Sequence, residues 1–209
     1  RSASIPGPLA RGMRIAFTFT LLGYAQACTT IIAGRLATSD GSVMCTHSND
    51  GGGDTDPRLV RVPPADHLAG SVRNIYWAPE VYPRFVGSDR GVAAYEPVGN
   101  QSASVPIGQI DQVAHTFGYI EMTYGAINEH QVGIGESTCS GVFGTKAAGH
   151  GGKALLSIDT LSQLAMERAT SARAAVELMG SLAEKHGFYG EGSFEGSAES
   201  LMVTDPQEG

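Results

Sequence analysis

A cysteine at position 28 directly follows Ala25-Gln26-Ala27, an Ala-x-Ala tripeptide that closes an apolar run. Cleavage after Ala27 frees a thiol and an α-amine on the same residue. The amine has an ordinary pKa of roughly 7.7–8.0, so near neutrality part of it is free to take the thiol proton. The thiolate is the attacking species. Cys28 then supplies both nucleophile and base, as a threonine and its own α-amine do in other hydrolases. Two further chemistries fit a cysteine in this place: lipid attachment, as in a bacterial lipoprotein, and a disulfide. Lipoprotein signals carry a large aliphatic residue three before the cysteine, where this chain has Ala25.

The residues before Cys28 read as export machinery. Met13-Arg14 is followed by an apolar stretch from Ile15 to Gly23, too short for a bilayer-spanning helix of about 20 residues. Residues 1–27 are therefore expected to be a leader and secretory signal, with Met13 the initiator. The expected location is secreted, or the lumen of a secretory or lysosome-like compartment, with no stable membrane insertion after signal removal. Three cysteines leave one over in an exported protein. A Cys45–Cys139 disulfide with Cys28 free is one pairing. At the other end, SLMVTDPQEG is a strand-like run and an Asp-Pro turn that calls for a partner strand. Residues 28–209 are thus expected to be the N-terminal part of a single domain, and the chain a fragment.

Positioning Cys28 requires a strand. Residues 29–34 (TTIIAG) and 43–48 (VMCTHS) are short and β-branched, separated by TSDGS, whose Asp-Gly signals a reversal. The hairpin brings Cys28 close to His47 and Asp50. Residues 51–111 read as long loops with minor strands around RLVRVP and NIYWAP, residues 113–122 as one strand, and 131–137 as another in which Gly133 and Gly135 signal close backbone approach. Ser157 caps a helix with Ile158, Leu161, Leu164 and Ala165 on one face. A second helix starts near Ser171, with Ala172, Ala175, Val176, Met179, Leu182 and Ala183 as its stripe and Gly187 closing it. Residues 192–200 read as loop and Leu201–Asp205 as strand. Strands, then helices, then a strand give α+β, with helices on a mostly antiparallel sheet.

Three blocks in order, CTTIIAGRLATSDGSVMCTHSNDG, YGAINEHQVGIGESTCSG and SFEGSAESLMVTDP, resemble the dipeptidase A and secernin family of N-terminal-nucleophile (Ntn) cysteine peptidases. The resemblance runs from Cys28 to the chain's end and is loose between 64 and 110. It implies an Ntn-hydrolase fold, a four-layer αββα sandwich, and dipeptide hydrolysis without a metal or organic cofactor. It carries Cys28 onto the nucleophile and Asp50 onto an aspartate that orients its amine. His47 stands where the family's Arg-x-x-Asp pattern has arginine; a titrating imidazole replaces a permanent bidentate cation. Asn128 is the candidate oxyanion donor or substrate anchor, and Glu136 the candidate partner of a substrate amine.

Several classes are disfavoured. A formal net charge of −7 and the lack of arginine-rich aromatic stripes argue against nucleic acid. Asp50, Asp54 and Asp56 lack EF-hand spacing, the histidines lack zinc-ligand spacing, and Gly149–Gly152 lacks the lysine and hydroxyl of a phosphate loop. The expectation is a cysteine-type dipeptidase acting on small peptides, with oligomeric state open. An amidase on another small amide, or a lipoprotein that binds a small ligand without turnover, are the alternatives.

Overall fold

β-Branched residues and an Asx turn build the first hairpin. Strand β1 (Thr29–Ala33) pairs antiparallel with β2 (Met44–Ser48), Thr30 opposite His47 and Ile32 opposite Cys45. Between them Asp40 Oδ1 accepts the Ser42 N–H at 3.0 Å, and Gly41 takes φ +74°. The computed structural model describes residues 28–50, 58–77, 85–122, 124–142, 144–190 and 197–209. The leader and signal expected for residues 1–27, and Asp54 and Asp56, lie outside the described residues.

The stretch expected to be loops with minor strands carries short strands at both quoted pieces. Val60–Val62 (β3) and Ala65–Asp66 (β4) are followed by Val72–Tyr76 (β5), which pairs antiparallel with Pro106–Asp111 (β6) across a bulge. These partners are far apart in sequence, so no local signal marks them. The single strand expected over 113–122 is two, His115–Thr116 (β7) and Tyr119–Glu121 (β8). Between them the Phe117 N–H goes to the Glu167 carbonyl at 2.9 Å and the Gly118 N–H to the Glu129 carboxylate at 3.0 Å. Neither amide is left for a ladder.

Gly125–Asn128 (β9) and Gly133–Ser140 (β10) complete a five-stranded sheet with Ser197–Thr204 (β13), in the order β13-β10-β9-β8-β3. Strand β13 begins at Ser197, inside the stretch expected to be loop. It pairs with β10 along its whole length, from Gly133 opposite Thr204 to Ser140 opposite Ser197. The helices match expectation. Ser157 caps α1 (Ile158–Arg168) through the Thr160 N–H, and Ser171 caps α2 (Ala172–His186) through the Ala174 N–H. Short Leu156–Ser157 (β11) and Phe188–Tyr189 (β12) pair in parallel at their ends. Helix α1 is buried from Ile158 to Glu167. Helix α2 buries Ala172, Ala175 and Met179 but leaves Val176, expected in its apolar stripe, 55% exposed.

The chain is α+β, with layers set by side-chain alternation along β10. Ile134 joins the core with Leu161, Leu164 and Met166 of α1. Gly133 and Gly135 face the opposite way, toward the hairpin. A Cβ on Gly135 would lie 2.6 Å from Met202 Cε and 3.0 Å from His47 Cβ. This is the close approach expected from the sequence. Gly135→Ala will therefore lower stability by about 1–3 kcal/mol through overpacking, read from urea unfolding. An unchanged midpoint would mean that the hairpin shifts freely.

Candidate active site

Strand β10 outruns its neighbour β9, which pairs with it only at Gly133–Ile127. Beyond that point one edge of β10 is open, and the hairpin's inner row of side chains fills it. The His47 Nδ1 lies 3.1 Å from the Glu136 backbone N and 2.6 Å from its carbonyl oxygen; the tautomer decides which of the two it bonds. Two residues along, the Thr138 backbone N–H, like that of Asp50, acts to lower the pKa of the Cys28 thiol. The Ser137 hydroxyl donates to the Cys28 carbonyl at 2.6 Å. Asn49 Oδ1 stands 4.0 Å from the thiol. The nucleophile expected from the sequence is thus held by its carbonyl, with Asn49 beside its sulfur.

Burial pushes the half-buried Cys28 thiol above its ordinary pKa, and the Asp50 N–H opposes this. The Glu136 charge pushes it up further, the Thr138 N–H pulls it down, and the Asp50 charge adds a smaller rise. With a peptide bond still on its nitrogen, Cys28 is mainly a thiol at neutral pH. Aspartate 50 contributes two opposed effects: its amide hydrogen favours the thiolate and its exposed carboxylate disfavours it.

Histidine 47 has one nitrogen engaged with β10. Its Nε2 is buried without a partner, and its ring meets Tyr124 edge-on at 5.5 Å. A cavity of about 680 Å³ opens beside it, lined by Met44, Cys45, Tyr124, Ile127, Met202 and others. Glutamate 136 is fully buried, which removes it from direct contact with an amine arriving from solvent. Its Oε1 accepts from the Thr138 hydroxyl at 2.8 Å, while Oε2 is buried without a partner. It acts on Cys28 through its charge.

Asparagine 128 is not available as an oxyanion donor. Its Nδ2 donates to the Met166 carbonyl at 3.1 Å and the Ala169 carbonyl at 2.8 Å, at the C-terminal end of α1. Its Oδ1 accepts the N–H groups of His130 and Val132, each at 3.0 Å. Both amide hydrogens are consumed, so its work is to tie the β9–β10 turn to the helix. Asn128→Ala will lower stability by about 1–3 kcal/mol, because it strands buried carbonyls and amides. Thermal unfolding with and without the substitution checks this; a silent variant would return Asn128 to the list of substrate contacts.

The Cys45–Cys139 disulfide is not formed; all three cysteines are free. The Cys45 sulfur sits over Gly133, whereas Cys139 lies six residues along β10. At about 3.4 Å per residue that is roughly 20 Å, far beyond a disulfide's reach. Sequence reasoning missed Ser137 and the Thr138 amide. Strand alternation alone would have put Ser137 on the face of Gly133 and Gly135, toward the hairpin.

Comparison of the chain with protein-family models, with curated proteins and with solved structures returned no match.

Proposed function

We propose that the chain is a cysteine-type hydrolase of the N-terminal-nucleophile kind, matured by cleavage after Ala27 and acting on dipeptides. The observation that carries this reading is the seat of Cys28. Cys28 sits half-buried at the head of β1, its carbonyl held by the Ser137 hydroxyl at 2.6 Å, and the backbone N–H groups of Asp50 and Thr138 favour its thiolate. The layering, helices on one face of the β10 sheet and the hairpin on the other, supports three of the four layers of an αββα sandwich.

Cleavage supplies what the site lacks. A free α-ammonium adds positive charge next to the thiol, within the field of Glu136 and Asp50. The neutral amine takes the thiol proton; the thiolate attacks the peptide carbonyl carbon. The C–N bond breaks, and the leaving amine takes that proton back. Water then adds to the thioester, the C–S bond breaks, and acid and thiol are released. The hydrogen bond from Ser137 to the Cys28 carbonyl and the half-burial of the thiol favour this reading over a lipid-bearing cysteine, whose sulfur must point into a bilayer.

The test compares chains beginning at Cys28 with chains that retain Ala27. Both are incubated with a panel of dipeptides, with free amino acids followed by chromatography and the protein mass monitored for an acyl adduct. Turnover and a thioester only in the chain beginning at Cys28 support the reading. No turnover and no adduct in that chain would remove it.

A further inference from the structure

The chain has three lysines, at positions 146, 153 and 185, and two of them line one open pocket of about 770 Å³. The third stands beside His186, which lines the same pocket. This is unusual for a chain whose formal net charge is −7.

The fold brings the charges together by tying a loop to a helix end. The Lys146 carbonyl accepts the Ala154 N–H at 3.1 Å, so Lys146 and Lys153 emerge side by side from the base of the loop. Gly152 allows this pinch: a Cβ there would lie 1.9 Å from the Lys146 carbonyl oxygen. The Thr145 hydroxyl donates to the Phe188 carbonyl at 2.5 Å, and the Leu155 N–H to the His186 carbonyl at 3.0 Å, which fixes the loop against the end of α2. The Lys146 stem passes over Gly151.

Like charges lining one pocket repel. No acid lines the pocket and no lysine makes an ion pair among the described residues. A helix C-terminus attracts cations, which accounts for Lys185 and His186. It does not account for Lys146 and Lys153, because the nearby helix-end carbonyls of Ala183 and His186 already accept the Gly187 and Leu155 N–H groups. Burial pushes the His186 imidazole below its ordinary pKa and Lys185 pushes it down further, with Asp111 opposing.

We propose that Lys146, Lys153 and His186 form a binding site for a small dianion, a phosphate or a dicarboxylate. Each ammonium binds as a compact point charge. The loop itself is not a phosphate cradle, since the His150 and Gly152 N–H groups are both spent on the Ala147 carbonyl. The site is separate from Cys28 and stands whether or not that residue is catalytic.

The experiment titrates the full chain with pyrophosphate and, separately, with succinate at matched ionic strength, following the His186 ring resonances by NMR. The expected result is saturable binding of at least one probe and a rise in the His186 pKa. The double variant Lys146→Gln/Lys153→Gln, exposed at both positions, should keep the fold and weaken binding by at least about tenfold. Binding of pyrophosphate alone assigns the ligand to phosphates, and of succinate alone to dicarboxylates. No saturable shift with either probe, or equal affinity in the double variant, would overturn the site.

Discussion

Cys28→Ala, in a chain that begins at residue 28, will abolish dipeptide hydrolysis and leave the fold intact. The expected loss is on the order of 10⁶-fold, the scale seen when a covalent nucleophile is removed. Stability should hardly change, because the hydrogen bond of the half-buried thiol, to Asn49 Oδ1 at 4.0 Å, is long and weak. Far-UV circular dichroism and the unfolding midpoint check the fold; amino-acid release checks the chemistry. The companion experiment concerns charge. With Ala27 retained, burial and the Glu136 and Asp50 charges hold the thiol above its ordinary pKa, so alkylation by iodoacetamide will be slow at neutral pH and climb only in alkaline solution. With the α-ammonium free, the thiolate is favoured, and the alkylation profile will move to lower pH. Identical profiles in the two chains would mean that the amine never reaches the sulfur. Persistent turnover in Cys28→Ala would place the reaction elsewhere.

The second large effect is on stability and lies at Glu121. This carboxylate is 1% exposed and accepts from the Arg90 guanidinium at 2.6 and 3.1 Å, from Tyr95 at 2.5 Å and from Tyr119 at 3.0 Å. The Arg90 side chain is 8% exposed, and the Arg73–Glu167 pair, at 2.9 Å, is buried close by. Removing one member of a buried pair leaves the other charged and desolvated. Glu121→Ala will therefore cost about 3–5 kcal/mol, a large part of a typical domain's stability. Replacing the pair together, Glu121→Leu with Arg90→Met, should recover most of the loss, since a well-packed apolar pair often does as well as an ionic one. Urea denaturation of the three variants reads this directly. A single variant that loses less than about 1 kcal/mol, the range of an exposed pair, would show that water reaches the network.

These residues show where sequence reading succeeds. The β1–β2 hairpin and both helices are encoded locally, by an Asp-Gly reversal, a 3.6-residue apolar period and serine caps, and all are visible without a structure. Pairings between distant segments, β5 with β6 and the first half of β13 along β10, have no local mark. The site divides in the same way. Cys28 and Asp50 sit at the two ends of one hairpin, so their meeting was legible, whereas His47, on the same hairpin, turns to Glu136 and Tyr124. The groups that act on the thiol include two backbone amides, which look alike at every position of a sequence. Asn128 was misread because an amide that ties a turn to a helix and an amide that binds an oxyanion are the same residue. Only its four hydrogen bonds tell them apart. The Glu121 cluster draws on segments from Arg90 to Glu121 that carry no periodic signature.

The hydrogen bond from Ser137 to Cys28 joins residues 109 positions apart. The hairpin can zip up on its own within microseconds, but the shelter around its thiol waits for β10 and β13 to find each other. During that interval the sulfur is naked. A pulse of alkylating reagent during refolding would thus time the docking of the two sheets. In an oxidising compartment the same delay would expose the newly made chain to mixed disulfides, so swift assembly would matter to its yield as much as final stability does.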